Sequence, residues 1–334
     1  MKYGLGWAVL AAAILAAGCM PKGGFLVRPV SGDEKLQEAV VGGDTGWLVS
    51  AKVAVVDVDG LIMNQREGGM FGSDENPVSL FVEKLDRIRD DADVRAVVLR
   101  INSPGGGVTA TDLMYRRLAA LKKERGIPVV AAIQDVGASG GYYLASAADT
   151  ILVAPTSVTG SIGVIVLTFN IEGTLAKIGA ETKAITSGPL KDMASPFKPL
   201  GPEAEKVLQG LVSEFYDRFV DVVAAGRPAL GRDAVKALAD GRVYSGTQAV
   251  AKGLADATGD LQDAVALARK RAGLKTARTV MYRRPWGYAG NVYSAAGLGP
   301  VQVNLGNLSA PDVMAWLRPQ FLYLWTGDGG AAKP

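Results

Sequence analysis

The stretch Ala96–Gly107, AVVLRINSPGGG, joins a mostly apolar run to a segment with three successive glycines. A continuous apolar run rich in β-branched residues predicts a strand covered on both faces. Three glycines allow a tight turn with exposed backbone N–H groups. The pattern recurs further along the chain, where Pro128–Ile133 (PVVAAI) leads to Gly137–Tyr143 (GASGGYY). Each turn precedes a predicted helix, and this alternation predicts an α/β fold.

The remaining elements follow from the same periodicities. Further strands are predicted at Val53–Val58, Thr150–Val153, Gly163–Thr168 and Thr182–Thr186. Helices are predicted at Pro77–Asp90, Thr109–Arg125, Gly201–Ala225, Arg232–Ala239, Gly246–Lys252 and Asp260–Ala272. Beyond Thr276 the sequence is aromatic and glycine-rich with little periodicity, which is typical of a tail that packs on its own domain or on a neighbour.

The composition excludes several kinds of catalytic site. The 334 residues include no histidine and one cysteine. Ser-His-Asp and Cys-His machinery is therefore excluded, as is every metal site with histidine ligands. A single cysteine also excludes an internal disulfide framework and multi-cysteine metal clusters. We expect no cofactor and no metal, and acid–base chemistry near neutral pH is left to a carboxylate, a tyrosine or a lysine of lowered pKa.

Charge and hydrophobicity indicate a globular protein without a polyanionic partner. Apolar residues make up 49% of the chain and charged residues 21%, which is enough material for a core. Thirty-six basic residues stand against 33 acidic ones, for a formal net charge of +3. No cluster of basic residues is interleaved with aromatics, so we expect no nucleic-acid partner.

The N-terminus has the pattern of an export signal. Lys2 supplies a positive charge, and the apolar run Trp7–Ala17 is too short for a stable membrane-spanning helix. Small residues lead into Cys19, an arrangement that resembles a bacterial lipoprotein signal cleaved before a lipidated cysteine. The alternative is an ordinary secretory signal. We expect residues 1–18 to be the signal peptide and 19–46 a tether, which would hold an exported protein on a membrane of the bacterial cell envelope.

Both glycine-rich segments leave more than one interpretation open. Exposed N–H groups near Gly105 can form an oxyanion hole, cradle a phosphate or simply make a turn. The Lys-Ser/Thr of a P-loop is missing, however. Ser139 in the second segment lies at a predicted helix N-terminus, where it is either a nucleophile or a helix cap.

Two later segments add candidate groups. Lys191 lies in SGPLKDMASP (residues 187–196), and taken alone a lysine is most often a solvated surface charge. Ser161 lies in TGSIG (residues 159–163), where it is available as a hydrogen-bond partner.

Taken together, NSPGG, ASGGYY, TGSIG and GPLKD resemble the signal peptide peptidase A family of serine peptidases, over roughly Val53 to Ala272. The NSPGG turn is also similar to that of the proteolytic Clp subunit and the wider crotonase-like fold. The resemblance implies a Clp/crotonase-like repeated β-β-α spiral, as one domain over residues 47–275 that assembles into a homo-oligomeric ring. Residues 276–334 would then form an aromatic C-terminal extension.

By this resemblance Ser139 is the nucleophile and Lys191 the general base. Ser161 is expected to hold the lysine amine in line. The backbone N–H groups of Gly105, Gly106 and Gly140 are expected to form the oxyanion hole. A Ser-Lys dyad agrees with the missing histidine, whereas Clp-type enzymes use a histidine base.

A lysine base must be substantially neutral. Its pKa, ordinarily about 10.4, has to fall by roughly 3 units, which desolvation can supply. We therefore expect Lys191 to be buried without a carboxylate on its amine, and Asp192 to point away from it. In short members of the family the serine and the lysine come from neighbouring subunits.

The expected function is membrane-associated endopeptidase activity on cleaved signal peptides and other apolar extended peptides, which can bind by strand addition. Two alternatives remain open at this point. One is a crotonase-type acyl-CoA hydratase or isomerase, which export disfavours. The other is a non-catalytic membrane scaffold with the same fold.

Overall fold

The computed structural model describes residues 35–65, 75–284 and 320–326. Its strands are β1 (Gln37–Gly43), β2 (Lys52–Ile62), β3 (Val94–Gly107), β4 (Val129–Ala138), β5 (Thr150–Val153), β6 (Val158–Gly160), β7 (Ile165–Leu167), β8 (Val243–Ser245), β9 (Ala257–Thr258), β10 (Arg278–Arg283) and β11 (Gln320–Leu324). Its helices are α1 (Pro77–Asp90), α2 (Val108–Arg125), α3 (Gly140–Ala145), α4 (Glu172–Lys177), α5 (Pro202–Gly226), α6 (Gly231–Leu238), α7 (Gly246–Ala251) and α8 (Leu261–Arg271). The expected signal peptide and Cys19 lie outside the described residues.

One large mixed sheet organises the fold. Its main path runs β1-β10-β2-β3-β4-β5-β9, and the neighbours from β10 to β9 are all parallel. Alternate residues of β2 enter two different cores: Ala54 and Val56 pack on one face, and Val53 and Val55 on the other. A sheet buried on both faces explains the continuous apolar runs, and the predicted α/β class is confirmed.

A buried ion pair fixes the register of β2 on β3. Asp57 and Arg100 are directly opposite each other, and the guanidinium Nε lies 2.8 Å from the carboxylate. Lys84 of α1 lies 4.0 Å from the same carboxylate. Burial raises the pKa of Asp57, an effect that the charges of Lys84 and Arg100 oppose. A slip of one residue would leave Asp57 buried and unpaired, which is strongly destabilising.

The helix predictions agree with the structure to within a residue or two. Helix α1 begins where expected because Pro77 occupies its first turn and the Asn76 side chain accepts hydrogen bonds from the N–H groups of Val78 and Ser79. Helix α8 is preceded by Asp260, which forms a capping box with Asp263.

Two expectations about the sheet are wrong. Residues 182–186 form no strand, and their side chains are exposed. Part of the expected tether belongs to the folded domain instead: β1 pairs antiparallel with β10, which in turn pairs with β2. The folded domain therefore begins before residue 47 and continues past residue 275. Both of these strands pair with partners remote in sequence, which no local pattern reveals.

Candidate active site

Ser139 occupies a sharp turn between β4 and α3. Its backbone has φ 52° and ψ −114°, a conformation that non-glycine residues rarely adopt. The turn is held on both sides, because Ser139 N donates to Gly160 O at 2.7 Å and Ser139 O accepts from Tyr143 N at 2.8 Å. Strained backbone of this kind is concentrated at functional sites, and a strand-to-helix elbow is a known way to present a nucleophilic serine.

The Ser139 hydroxyl does not cap the helix. Its side chain makes no capping hydrogen bond to α3. The residue is 1% exposed, so the hydroxyl lies in a protected environment. The interpretation of Ser139 as a simple helix cap is therefore wrong.

The two glycine-rich segments lie against each other. A Cβ atom added to Gly105 would lie 2.6 Å from Gly140 N, and one added to Gly141 would lie 2.7 Å from Ser103 O. Only glycine permits such an approach of two backbones. Contrary to the expected tight turn, the glycines of the first segment continue β3 and pair with β2.

The three expected oxyanion-hole glycines are not equivalent. Gly105 lies beside Gly140, but its N–H donates to the Ser103 hydroxyl at 3.1 Å. That hydroxyl donates in turn to Gly60 O at 2.6 Å. Because the Gly105 N–H is already hydrogen-bonded, it is a poor candidate for an oxyanion donor. The N–H groups of Gly106 and Gly140 remain candidates.

Ser161 lies next to Ser139 because their strands pair. Strand β6 is parallel to β4 with Gly160 opposite Ala138, so the two serines follow paired residues. Ser161 also has positive φ, 49°, and its N–H donates to Arg242 O at 2.8 Å. It is 8% exposed. The structure thus brings these two expected site residues together.

Lys191 is not brought into the same cluster within one chain. Its side chain is exposed, contrary to the expected burial, and its amine makes no hydrogen bond or ion pair with any described residue. The surrounding segment packs little on the sheet: α4 buries none of its residues, and Ile178 and Ile185 are 73% and 94% exposed. Asp192 points away as expected, since its carboxylate accepts from Lys198 Nζ at 2.6 Å.

An aromatic cluster behind Ser139 was missed from the sequence. Tyr143 lies within 5.0 to 5.3 Å, between ring centroids, of Tyr115, Phe219 and Tyr323. The Tyr143 hydroxyl donates to Asp112 at 2.6 Å, and burial, followed by this bond, raises its pKa. The GGYY sequence was a signal, because two aromatics directly after small residues must find partners inside the fold.

The neighbouring tyrosine fastens α3 to the end of the domain. Tyr142 is fully buried and its hydroxyl donates to Leu254 O at 2.7 Å. Burial raises its pKa, so it stays a neutral donor. The segment KGLAD (residues 252–256) therefore supports the helix that follows Ser139.

Comparison with known proteins identifies the family. Residues 121–275, which include Ser139, Ser161 and Lys191, match the model described as Peptidase family S49. A protein of Enterococcus faecium named putative signal peptide peptidase SppA is 39% identical over 232 residues, which cover 70% of this chain and 67% of that protein. The chain belongs to peptidase family S49. It is a serine peptidase of the signal peptide peptidase A type, and this excludes the acyl-CoA hydratase alternative.

Other relatives in the family are longer than the region they share with this chain. Protease 4 of Salmonella typhi is 36% identical over 233 residues, which cover 70% of this chain and 36% of that protein. The chloroplastic serine protease SPPA of Arabidopsis thaliana is 32% identical over 252 residues, covering 72% of this chain and 37% of that protein. Within the part of the S49 chain that the structure describes, no helix is long and apolar enough to cross a membrane.

Proposed function

We propose that this chain is a membrane-associated serine endopeptidase that hydrolyses cleaved signal peptides and other apolar, extended peptides with a Ser-Lys dyad. The observation that carries the proposal is the strained, buried and uncapped Ser139 between two interlocked glycine segments. The name of the relative from Enterococcus faecium, putative signal peptide peptidase SppA, supports the substrate class.

In the proposed mechanism the Ser139 Oγ attacks a peptide carbonyl carbon while Lys191 Nζ accepts the hydroxyl proton. The N–H groups of Gly106 and Gly140 stabilise the tetrahedral oxyanion. Lys191 then passes the proton to the leaving amine. The Lys191 amine then takes a proton from a water molecule, which attacks the carbonyl carbon of the acyl-enzyme. The ester bond to Ser139 Oγ breaks, and Lys191 returns the proton to that oxygen. Ser161 accepts a hydrogen bond from the amine and keeps it in line.

A neighbouring copy of the chain completes the dyad in this proposal. Lys191 is exposed in the single chain, and the segment around it carries the exposed side chains of Ile178 and Ile185. Apolar residues exposed next to an unpaired amine fit a surface that is covered on assembly. Burial there would also supply the desolvation that a neutral lysine requires. A homo-oligomeric ring satisfies both requirements, and the isolated protomer is inactive.

Membrane association is attributed to the N-terminus. Residues 1–18 act as a lipoprotein signal and lipidated Cys19 anchors the protein to the extracytoplasmic face of a bacterial membrane. Mass spectrometry of the mature protein tests this directly. A diacylglyceryl group on Cys19 supports the anchor, and a free thiol or a chain cleaved elsewhere contradicts it.

Complementation tests the dyad and its assembly together. Ser139→Ala and Lys191→Ala are each expected to lose peptide hydrolysis and fluorophosphonate labelling, whereas Lys183→Ala, a matched change on the same exposed segment, retains both. Co-expression of the two inactive variants should restore about a quarter of wild-type activity, because one random pairing in four joins an intact serine to an intact lysine. Absence of restoration contradicts a shared site. If the wild-type protein hydrolyses the peptide no faster than either variant, the scaffold alternative is supported.

A further inference from the structure

Thr111 lies beside Gly140 with its hydroxyl buried and unpaired. The residue is 0% exposed, and its Oγ1 has no hydrogen-bond partner among the described residues. A Cβ atom added to Gly140 would lie 2.8 Å from Thr111 Oγ1 and 3.0 Å from Gly105 Cα. The hydroxyl therefore lies where the two glycine-rich segments meet, next to the residue that follows Ser139.

Helix α2 brings Thr111 to this place. The helix begins directly after Gly107, and Thr111 is its fourth residue. Gly107 provides no side-chain cap for the first turn. The first N–H groups of a helix have no partner within the helix and give its N-terminus a partial positive charge. An oxygen atom that carries negative charge is therefore favoured at this end of α2.

The Thr111 hydroxyl does not make the bond that a threonine within a helix usually makes. Such a hydroxyl commonly donates to a carbonyl of the preceding turn, but Thr111 Oγ1 is unpaired within the part of the chain that the structure describes. A buried hydroxyl without a partner destabilises the fold, because it has lost its hydrogen bonds to water and gained none. Beside a reactive serine, this cost is explained by a hydrogen bond that forms only with a bound ligand.

Thr150 has the same kind of unpaired hydroxyl in a different part of the sheet. It is 4% exposed, and no described residue is a hydrogen-bond partner of its Oγ1. Thr150 begins β5 opposite Val130, near the start of β4, whereas Ser139 follows the end of β4. Nine residues of extended chain, about 30 Å along the strand, separate Val130 from Ser139. Thr150 therefore provides a matched control for Thr111.

We infer that Thr111 is a further catalytic residue, whose hydroxyl donates a hydrogen bond to the oxyanion that forms when Ser139 attacks a peptide carbonyl. This inference rests on the proposed function. The hydroxyl keeps its own proton and acts beside the N–H groups of Gly106 and Gly140. It takes the place of the Gly105 N–H, which is already hydrogen-bonded. Because the bond strengthens as negative charge develops on the carbonyl oxygen, its loss lowers kcat more than it raises KM.

The first experiment compares variants of the full chain that keep the shape of the side chain. Thr111→Val replaces the hydroxyl by a methyl group and is expected to lower kcat for an apolar peptide on the order of tenfold or more, with KM changed less than about threefold. Thr111→Ser keeps the hydroxyl and should retain most of the wild-type kcat. Thr150→Val should leave kcat and KM unchanged. Both valine variants should unfold at or above the wild-type Tm, because each removes an unpaired buried hydroxyl.

A second experiment tests the oxyanion itself with a peptide aldehyde and the corresponding peptide alcohol. Ser139 Oγ adds to the aldehyde carbon, the C=O π bond opens, and the hydroxyl proton passes to Lys191, which leaves a negatively charged oxygen on the former carbonyl. The alcohol binds without this reaction. Thr111→Val is expected to weaken inhibition by the aldehyde on the order of tenfold, in parallel with kcat, and to leave inhibition by the alcohol unchanged. Thr111→Ser should keep the wild-type ratio of the two inhibition constants.

Three results would contradict these expectations in different ways. Equal kcat and equal aldehyde inhibition in Thr111→Val and wild type overturn the role of Thr111 and leave the peptidase function standing. A lower Tm in Thr111→Val, with equal weakening of both inhibitors, assigns the residue to the fold and also overturns that role. A wild-type protein that neither hydrolyses the peptide nor reacts with a fluorophosphonate defeats the proposed function itself.

Discussion

Replacing Ser139 by glycine is expected to stabilise the fold relative to replacing it by alanine. The residue is held at φ 52° and ψ −114°, where a Cβ atom is strained. Strain of this kind costs about 1–3 kcal/mol and is retained in Ser139→Ala but removed in Ser139→Gly. Glycine lowers the free energy of unfolding by about 0.5–1 kcal/mol relative to alanine, because the unfolded chain has more conformational entropy to lose on folding. The net difference is roughly 1 kcal/mol in favour of glycine, or about 2–4 °C in Tm.

Both variants lack the hydroxyl, so activity does not enter the comparison, and thermal and urea unfolding measure the difference directly. Ser146 provides a matched control, because it is a buried serine close by with ordinary helical backbone at φ −65°. There the order should reverse, with Ser146→Gly less stable than Ser146→Ala by about 0.5–1 kcal/mol. If Ser139→Gly is no more stable than Ser139→Ala, the turn is not strained and the reasoning fails.

Two further outcomes follow from the same site. Gly105→Ala should lose about 2–4 kcal/mol of unfolding free energy in urea, because its Cβ would lie 2.6 Å from a backbone nitrogen at a φ of +104°. Gly107→Ala, whose Cβ would have no neighbour closer than 3.7 Å, should lose far less unfolding free energy. Equal losses in the two variants would contradict the close approach of the Gly105 and Gly140 backbones. The hydrogen bond from Lys198 lowers the pKa of the Asp192 carboxyl. Lys198→Ala removes this hydrogen bond and should raise the pKa of the Asp192 carboxyl toward its ordinary value, as measured by NMR titration of the carboxyl carbon. An unchanged Asp192 pKa in Lys198→Ala would contradict the hydrogen bond.

Local sequence patterns were sufficient for the central strands and most helices. The runs at Val53–Val58 and Ala96–Ile101 became β2 and β3 because both faces of these strands are covered, so nearly every side chain had to be apolar. Helix α1 has the expected limits, since Asn76 and Pro77 are local signals for a helix start. Strands β1, β10 and β11 were not predicted because they pair with partners far away in sequence, and β6, β8 and β9 were not predicted because each has only two or three residues.

The candidate site, like the fold, was predicted from the sequence only in part. The position of Ser139 between a strand and a helix followed from the sequence, but its positive φ and uncapped hydroxyl did not, because both depend on Gly160 and on the backbone of the adjacent glycine segment. The exposure of Lys191 in one chain was contrary to expectation. Burial of that segment depends on surfaces that a single chain does not provide.

The amino-acid sequence alone determined the α/β class, the excluded histidine chemistry and the glycine-flanked serine, because apolar periodicity and residue type are local properties. Only the tertiary structure decided which backbone groups meet. It put Ser161 beside Ser139, turned the Gly105 N–H toward Ser103, and set Tyr323 of a remote strand against Gly106. Strand pairing between distant segments depends on the free energy of the whole sheet, and no window of neighbouring residues contains that information.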